Sequence, residues 1–283
     1  MGDVVKFAVI GDCHFSHKGN YATRDCLGAR DKVSRIIEKL NERGLDFVFS
    51  LGDLGDGHGE EELPEMLEAF SACRHPVKYA IGNHDLCRRG EVEHMEAAGI
   101  PGSIYDFSVS GYRFVVLNGF EISRFSRNED ERAFYWDFRK NNPDVPVQEW
   151  PGLLRESTWA RLEAVLEDSL AKGELVILFC HVPTLEDACL REPWETEPHA
   201  VLVENKKMLA LLDRYTHVRA YIAGHYHPGG LSVRNGVMHK TVKSICDFTA
   251  DTYCIITADK EKIRISGAGA ETHFVYRYDG INK

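Results

Sequence analysis

Short apolar runs alternate with stretches of helical spacing in the first third of the chain. Continuous apolar runs at 7–10, 47–51 and 77–81 predict buried strands. Between them, apolar residues recur every three or four positions at 31–43 and 60–73, which predicts two helices that pack one face on a sheet. This order of elements is typical of an α/β fold with parallel strands.

The pattern changes after Gly102. Two short runs at 104–108 and 112–117 predict a hairpin, since Ser110-Gly111 between them favours a turn. The remaining predicted elements are helices at 157–170 and 206–215 and strands at 175–180, 218–223, 231–233, 237–242, 253–257 and 262–266. Because no helical pattern separates the last four strands, we expect an antiparallel meander there. We expect a single domain over residues 1–283.

Residues 118–155 have the least regular pattern of the chain. They are rich in aromatic and charged residues and contain Pro143, Pro146 and Pro151. Long irregular segments in compact domains are often functional, so we expect an irregular excursion from the core fold. Two interpretations stay open: a lid over a substrate, or a surface loop whose aromatic rings pack on the body.

The composition is that of a globular protein, with 43% hydrophobic and 28% charged residues. No apolar run approaches membrane-spanning length, and the first residues lack the pattern of a signal peptide, so we expect a cytoplasmic protein without a membrane contact. The eight cysteines are scattered without a Cys-x-x-Cys pair, which favours reduced thiols. The formal net charge of -10 argues against an extended nucleic-acid surface but allows a small phosphorylated ligand near metal ions.

Five of the predicted strands end at residues suited to metal binding. In four of the five, a glycine directly precedes the first such residue, as a tight and closely packed turn requires. Ligands in open α/β sheets collect at the carboxyl ends of the strands, where these side chains would converge. The predicted site residues, in chain order, are Asp12, His14, Asp53, Asn83, His84, Asp85, His181, His225 and His227.

The mixture of side chains indicates the class of metal. Carboxylates, imidazoles and one amide, without cysteine, suit divalent ions such as manganese, iron or zinc, and their number points to two ions. Cys13 and Cys180 are neighbours of predicted ligands in the sequence. Since adjacent residues on a strand point to opposite faces, we expect both cysteines to be packing residues.

These blocks resemble the five motifs of the calcineurin-like metallophosphoesterase superfamily, in the same order along the chain. The blocks are Asp12-x-His14, Gly52-Asp53, Gly82-Asn83-His84-Asp85, His181 and Gly224-His225-x-His227. The resemblance implies an α/β fold, a four-layer α/β/β/α sandwich of two mixed sheets flanked by helices. It also implies that one metal is held by Asp12, His14 and His227, the other by Asn83, His181 and His225, and that Asp53 bridges both.

The chemistry of such a centre suggests a mechanism. A hydroxide held between two ions would attack a phosphoryl group whose charge the ions neutralise. His84 is the candidate to protonate the leaving oxygen, and we expect Asp85 to orient its ring.

Within the superfamily, the C-terminal part is similar to the manganese-dependent ADP-ribose/CDP-alcohol diphosphatases, on Gly224-His225-x-His227 followed by Gly229-Gly230 and on the Tyr276-containing tail. This implies a small nucleotide-type substrate with a phosphoester or pyrophosphate bond. Cyclic-nucleotide phosphodiesterase activity is the main alternative, followed by phosphomonoesterase and phosphoprotein phosphatase activity. A metal-bound protein-interaction module is the non-enzyme alternative.

The 118–155 excursion supplies the predicted substrate contacts. Its aromatic rings could stack a nucleobase and its arginines could contact a distal phosphate. His17 and His58 are close enough in sequence to the motifs to support the ligands from behind. The predicted contact residues are Phe120, Arg124, Arg127, Tyr135 and Trp136.

Overall fold

The computed structural model of the protein describes residues 4–143, 145, 148–190 and 201–279. The strands in these ranges are β1 (Val5–Ile10), β2 (Phe47–Ser50), β3 (Val77–Tyr79), β4 (Ile104–Val109), β5 (Tyr112–Leu117), β6 (Leu175–Cys180), β7 (Val218–Ala223), β8 (Gly230–Arg234), β9 (Val237–Thr241), β10 (Tyr253–Ala258), β11 (Lys262–Ala268) and β12 (Phe274–Arg277). The helices are α1 (Ala29–Asn41), α2 (Glu62–Ser71), α3 (Glu91–Ala98), α4 (Glu129–Asn141), α5 (Glu156–Lys172) and α6 (Asn205–Arg214), with a 3₁₀ turn at Glu186–Ala188.

The strands form two six-stranded sheets, of order β12-β11-β10-β1-β2-β3 and β4-β5-β6-β7-β9-β8. Strands β1 to β3 are parallel, as are β5, β6, β7 and β9, while the other pairs are antiparallel. The predicted sandwich of two mixed sheets is confirmed. The expected C-terminal meander divides between the sheets, since β8 and β9 extend the second sheet and β10 to β12 extend the first.

Alternation along the central strands builds the layers. Phe7 and Val9 of β1 face the core between the two sheets, while Ala8 and Ile10 face the core under α1 and α2. The rings of Phe49 and Phe179 stack across the sheets with their centroids 3.9 Å apart. The continuous apolar runs that predicted these strands therefore reflect burial on both faces.

The second sheet repeats this arrangement on its outer side. Leu178 of β6 packs against α5 and α6, on residues such as Leu162 and Met208, while Ile177 faces the core between the sheets. With α1 and α2 on one side and α5 and α6 on the other, the fold has four layers. No helix in the described ranges combines the length and apolar character needed to cross a bilayer.

The 118–155 segment contains more regular structure than its sequence pattern predicts. Helix α4 lies within it and begins at Asn128, whose side chain accepts hydrogen bonds from the backbone N–H groups of Asp130 and Glu131. The expectation of an irregular excursion is therefore wrong for residues 129–141. Charged residues on most faces of α4 hide the helical period, and only Tyr135 is buried among its described residues.

Candidate metal centre

The predicted ligands follow the carboxyl ends of β1, β2, β3, β6 and β7, where tight turns redirect the chain. His14, Asp53 and His225 have φ angles of 52°, 50° and 65°. Non-glycine residues in this left-handed region cost of order 1–3 kcal/mol each and collect at functional sites. The chain after β1 is thus no longer extended at His14, and the left-handed turns bring side chains from separate strands together.

Close packing of the loops explains two of the motif glycines. A Cβ atom at Gly224 would lie 2.6 Å from Oδ2 of Asp12, and one at Gly82 would overlap the carboxylate of Asp53. Each glycine therefore lets a loop pass directly against a predicted ligand.

The carboxylate of Asp53 lies at the middle of the cluster. Its Oδ2 is 3.4 Å from Nε2 of His14 and 3.3 Å from Nε2 of His181. Its Oδ1 accepts a hydrogen bond from the backbone N–H of His84 at 2.8 Å. One oxygen of Asp53 thus lies between two imidazoles from different sheets.

The other predicted ligands complete the cluster on both sides of Asp53. Nε2 of His227 is 3.0 Å from Nε2 of His14, and Nδ1 of His225 is 3.2 Å from Nε2 of His181. Asp12 lies between the groups, with Oδ1 3.7 Å from Nε2 of both His181 and His227. The ring nitrogens and carboxylate oxygens of these residues therefore converge on one small volume.

Two buried oxygens test whether a cation fits here. Oδ2 of Asp12 and Oδ1 of Asn83 are buried without any hydrogen-bond partner. An orphaned buried acceptor is costly unless something satisfies it. A divalent ion would satisfy both, and the carboxylate, imidazole and amide donors suit manganese, iron or zinc.

Hydrogen bonds behind the imidazoles select the nitrogen that faces the cluster. Nδ1 of His14 donates to Oδ1 of Asp56 at 2.9 Å, and Nδ1 of His181 donates to the Leu51 carbonyl at 2.7 Å. Nδ1 of His227 donates to the carboxylate of Asp247 in a short hydrogen bond. In each case Nε2 faces the cluster, the arrangement typical of metal-ligating histidines.

Charges within the cluster shift several pKa values. Burial opposes a charge on His181, but the carboxylates of Asp53 and Asp12 outweigh it and raise its pKa to about 9. Burial lowers the pKa of His14 to about 4 and also lowers that of His225, where the charge of His181 acts in the same direction. Burial opposes ionisation of Asp53 too, yet His181 holds its pKa well below the usual range. The carboxylates of Asp12 and Asp53 therefore favour positive charge next to them.

A thiol also lies near the ligands, although the sequence suggested no cysteine at the site. Sγ of Cys246 is within 4.8 Å of ring nitrogens of His14 and His227. Burial raises the pKa of the Cys246 thiol, as is usual for a cysteine that packs in apolar surroundings.

The structure gives Asp85 a different role from the expected one. Its carboxylate accepts hydrogen bonds from the backbone N–H groups of Gly82, Asp53 and Leu54 at 2.8, 2.9 and 2.9 Å. It makes no hydrogen bond with the His84 ring among the described residues. Asp85 clamps the turn after β3 to the turn after β2, and so holds Asp53 in its left-handed conformation.

Asp56, and not Asp85, is the residue that orients the His84 ring. Nδ1 of His84 donates to the Asp56 carbonyl at 3.0 Å and lies 3.4 Å from its Oδ1. The same carboxylate contacts His14 and, at 3.0 Å, Nε2 of His58. The sequence carried a signal for this residue, since Gly52-Asp53 is followed closely by a second Gly-Asp pair at 55–56.

A cavity of about 550 Å³ opens beside the cluster. Its lining residues are His14, Tyr21, Arg24, Asp53, Asp56, His58, Asn83, His84, Gln148, Trp150, His225, Tyr226 and His227. Tyr21, Arg24 and Trp150 were not predicted, because nothing in their local pattern separates them from other exposed residues. Of the two histidines expected to support the ligands, His58 lines the cavity, whereas His17 pairs with Glu65 at the surface.

The predicted substrate contacts of the 118–155 segment need correction. Phe120 and Tyr135 are buried and do not line the cavity, and the Tyr135 hydroxyl donates to the carbonyls of Glu149 and Pro151. Arg127 donates to the Arg88 carbonyl, and Trp136 packs edge-on against Tyr135.

Arg124 is the predicted residue closest to a role, because its guanidinium lies 4.8 Å from the ring centre of Trp150. Trp150 itself lies over His84, with ring centroids 6.5 Å apart and an interplanar angle of 21°. The segment thus contributes to the cavity through Gln148 and Trp150 and not through the five residues predicted for it.

The fold and the donor set together define a metal-dependent hydrolase of phosphoesters. Residues 5–229 match the sequence model of the calcineurin-like phosphoesterases, and the chain belongs to this family. Members of the family use divalent metals.

Two plant proteins named manganese-dependent ADP-ribose/CDP-alcohol diphosphatase are similar to this chain. The protein from Arabidopsis thaliana is 26% identical over 267 residues, which cover 84% of each chain. The protein from Oryza sativa subsp. japonica is 26% identical over 240 residues, which cover 75% of this chain and 73% of the relative.

Solved structures share the fold. A dimetal phosphatase from Danio rerio superposes with a TM-score of 0.86 at 21% identity, covering 97% of this chain and 99% of its own. GAP50, an anchor in the inner membrane complex of Plasmodium, has a TM-score of 0.62 at 14% identity, covering 97% and 88%. Because the fold occurs both in a phosphatase and in an anchor protein, function has to be argued from the site.

Proposed function

We propose that the protein hydrolyses the pyrophosphate bond of small nucleotide-type diphosphates, such as ADP-ribose or CDP-alcohols, with two manganese ions. The observation that carries this proposal is the cavity of about 550 Å³, which joins the ligand cluster to the exposed rings of Trp150 and Tyr21. A volume of this order suits a small organic ligand. The names of the two plant relatives support the same substrate class.

The contacts around Asp53 support the ligand sets that the sequence motifs imply. Asp12, His14 and His227 would hold one ion, Asn83, His181 and His225 the other, and Asp53 would contribute to both. When bound, such ions neutralise charge on a phosphoryl group and lower the pKa of a coordinated water.

The chain's own acid would be His84. Its Nδ1 is anchored on the Asp56 carbonyl, and its ring lines the cavity, so Nε2 is available for the leaving oxygen. A proton on Nε2 would pass to that oxygen as the P–O bond breaks, which reduces the negative charge that builds up on the departing phosphate. The Asp56 carbonyl fixes the His84 ring. The backbone N–H of His84 donates to Oδ1 of Asp53, so His84 also helps to hold that carboxylate.

Trp150 and Arg24 would recognise the rest of the substrate. The Trp150 indole is partly exposed at the cavity wall and would stack on a nucleobase, a contact that contributes about 1–3 kcal/mol per base. Arg24 lies at the cavity wall with Nη1 3.4 Å from Oδ1 of Asp56, so its guanidinium could also reach a phosphate. Arg124 stacks on Trp150 and would reinforce its position.

The test is a substrate panel under one metal. ADP-ribose, CDP-choline, cyclic AMP and a phosphopeptide are each incubated with wild-type protein and Mn²⁺, with the metal-loaded His84→Ala variant as control. We expect kcat/KM for the two diphosphates to exceed the others by about tenfold or more, with AMP and ribose 5-phosphate as the products from ADP-ribose. A preference for cyclic AMP would overturn the substrate proposal. Absence of turnover by wild-type protein with bound metal would favour an interaction module.

A further inference from the structure

The carboxylate of Asp247 lies directly behind the predicted ligand His227. Its Oδ2 accepts the short hydrogen bond from Nδ1 of His227 and a second one from the Ser244 hydroxyl at 2.8 Å. Its Oδ1 accepts from the hydroxyl of Thr23 at 3.0 Å, although Thr23 lies more than two hundred residues earlier in the chain. One carboxylate therefore connects the ligand cluster to a distant loop.

Thr23 belongs to a tight turn that forms part of the cavity wall. Tyr21 and Arg24 pair through two backbone hydrogen bonds, of 3.2 and 2.8 Å, and Ala22 between them has a φ angle of 50°. Both Tyr21 and Arg24 line the cavity, and Tyr21 is 67% exposed, so little besides the base of the turn fixes its position.

The base of the turn is tied to the loop that carries Asp247 at two points. One is the hydrogen bond from Thr23 to Asp247, and the other joins the Asp25 N–H to the Cys246 carbonyl at 2.8 Å. Only the first of these hydrogen bonds involves a side chain, Asp247, that also contacts a predicted ligand. Removal of the Thr23 hydroxyl should therefore affect the Tyr21–Arg24 turn without affecting the metal site.

We propose that Asp247 is a positioning residue that sets the orientation of His227 for its metal and, through Thr23, the position of the Tyr21–Arg24 turn for the substrate. This inference rests on the proposed metal centre. Carboxylates that accept from a metal-ligating histidine typically raise metal affinity by about 10–100-fold. The hydroxyl of Thr23 has no contact with a predicted ligand, so its role is confined to the turn.

Three variants separate the two roles. Thr23→Val removes the hydroxyl at nearly constant shape, Thr23→Ser retains it, and Asp247→Ala removes the shared carboxylate. Asp213→Asn is the matched control, since Asp213 pairs with Arg234 and Asn235 at the surface. Thermal unfolding of the metal-free proteins establishes that each variant is folded before further measurement.

Mn²⁺ titration by calorimetry and steady-state kinetics at saturating Mn²⁺ give the readouts. We expect Asp247→Ala to bind at least one Mn²⁺ about 10–100-fold more weakly. Thr23→Val should bind Mn²⁺ like wild type but raise KM for ADP-ribose about three- to tenfold with kcat within twofold, and Thr23→Ser should restore KM. Unchanged Mn²⁺ affinity in Asp247→Ala, or unchanged KM in Thr23→Val, would overturn the inference.

A failure of the proposed function looks different from a failure of this inference. If wild-type protein does not hydrolyse ADP-ribose, the Mn²⁺ titration of Asp247→Ala still tests the metal role. The KM of Thr23→Val is then measured with bis(4-nitrophenyl) phosphate, a general phosphodiester, with the same expected and contradicting results.

Discussion

The loops at the strand ends and the 118–155 segment both border the same cavity, yet they differ in whether their buried polar groups have hydrogen-bond partners. The loops bury carboxylates and imidazoles against one another and leave oxygens such as Oδ2 of Asp12 without a partner. In the segment, Phe120 and Tyr135 are buried, and the Tyr135 hydroxyl is hydrogen-bonded. Trp150 lines the cavity. The unpartnered oxygens of the loops therefore fit a cation, whereas the bonded hydroxyl of Tyr135 supports the position of Trp150.

His84 offers the largest test of this contrast. Replacing His84 by Ala should lower kcat about 10²–10⁴-fold, because the variant lacks the proton donor while the ligands remain. Metal content, measured by elemental analysis, should be unchanged. His17→Ala is the matched control, since that histidine is exposed and pairs with Glu65. Near-normal turnover of metal-loaded His84→Ala would show that another group protonates the leaving oxygen.

Ala substitutions at Trp150 and Trp136 compare two tryptophans of the 118–155 segment, one inside the cavity and one outside it. Trp150→Ala should raise KM for ADP-ribose about 5–100-fold, from the loss of one stacking contact of about 1–3 kcal/mol. Trp136→Ala should leave KM within twofold, because Trp136 packs on Tyr135 outside the cavity. Initial-rate kinetics at saturating Mn²⁺ provide the measurement. Equal effects of the two variants would contradict the assignment of the cavity wall.

His239 has a buried nitrogen without a partner outside the ligand cluster, and its expected effect is on stability. Nδ1 of His239 is buried without a partner, and burial lowers its pKa to about 4 from an ordinary 6.5. Between these values the unfolded chain binds more protons than the folded one, so the free energy of unfolding falls as pH drops from about 6.5 to 4.

The measurement for His239 is urea unfolding at pH 7 and pH 5. Between pH 7 and pH 5, the free energy of unfolding of His239→Leu should fall by about 2 kcal/mol less than that of wild type. This figure follows from about 1.4 kcal/mol per pKa unit. Identical losses in the two proteins would show that His239 is already protonated in the folded state at pH 5.

Tyr135 gives the smallest expected effect. Its hydroxyl donates to the carbonyls on either side of Trp150, those of Glu149 and Pro151. Tyr135→Phe should lower the free energy of unfolding by about 1–2 kcal/mol, since the carbonyls of Glu149 and Pro151 lose their donor. KM should rise no more than about threefold, because Trp150 retains its contact with Arg124. A loss of kcat without a loss of stability would instead place Tyr135 at the chemistry.

The sequence was sufficient for the parts of the fold that depend on local pattern. Runs buried on both faces predicted the central strands, and a glycine followed by Asp, Asn or His predicted which side chains converge at the strand ends, since both signals fall within a few residues. Helix α4 was missed because its apolar residues do not form one stripe, and β12 because it is a short edge strand.

The supporting residues of the site were harder to predict for a physical reason. Asp247 acts on His227 and Thr23 only after β8 to β10 have folded back, and nothing near it in sequence indicates this. Asp85 follows His84 directly, yet its side chain accepts from three backbone N–H groups instead of the neighbouring ring. Contacts of this kind depend on the path of the chain in three dimensions.

The central claim is that the strand-end residues form a two-metal centre around Asp53. Its most direct test is the number of Mn²⁺ ions bound per chain at saturation, measured by equilibrium dialysis with elemental analysis. We expect two ions for wild type and at most one for Asp53→Asn at the same free Mn²⁺ concentration, because the variant lacks the shared charged oxygen. One ion or none in wild-type protein would contradict the account.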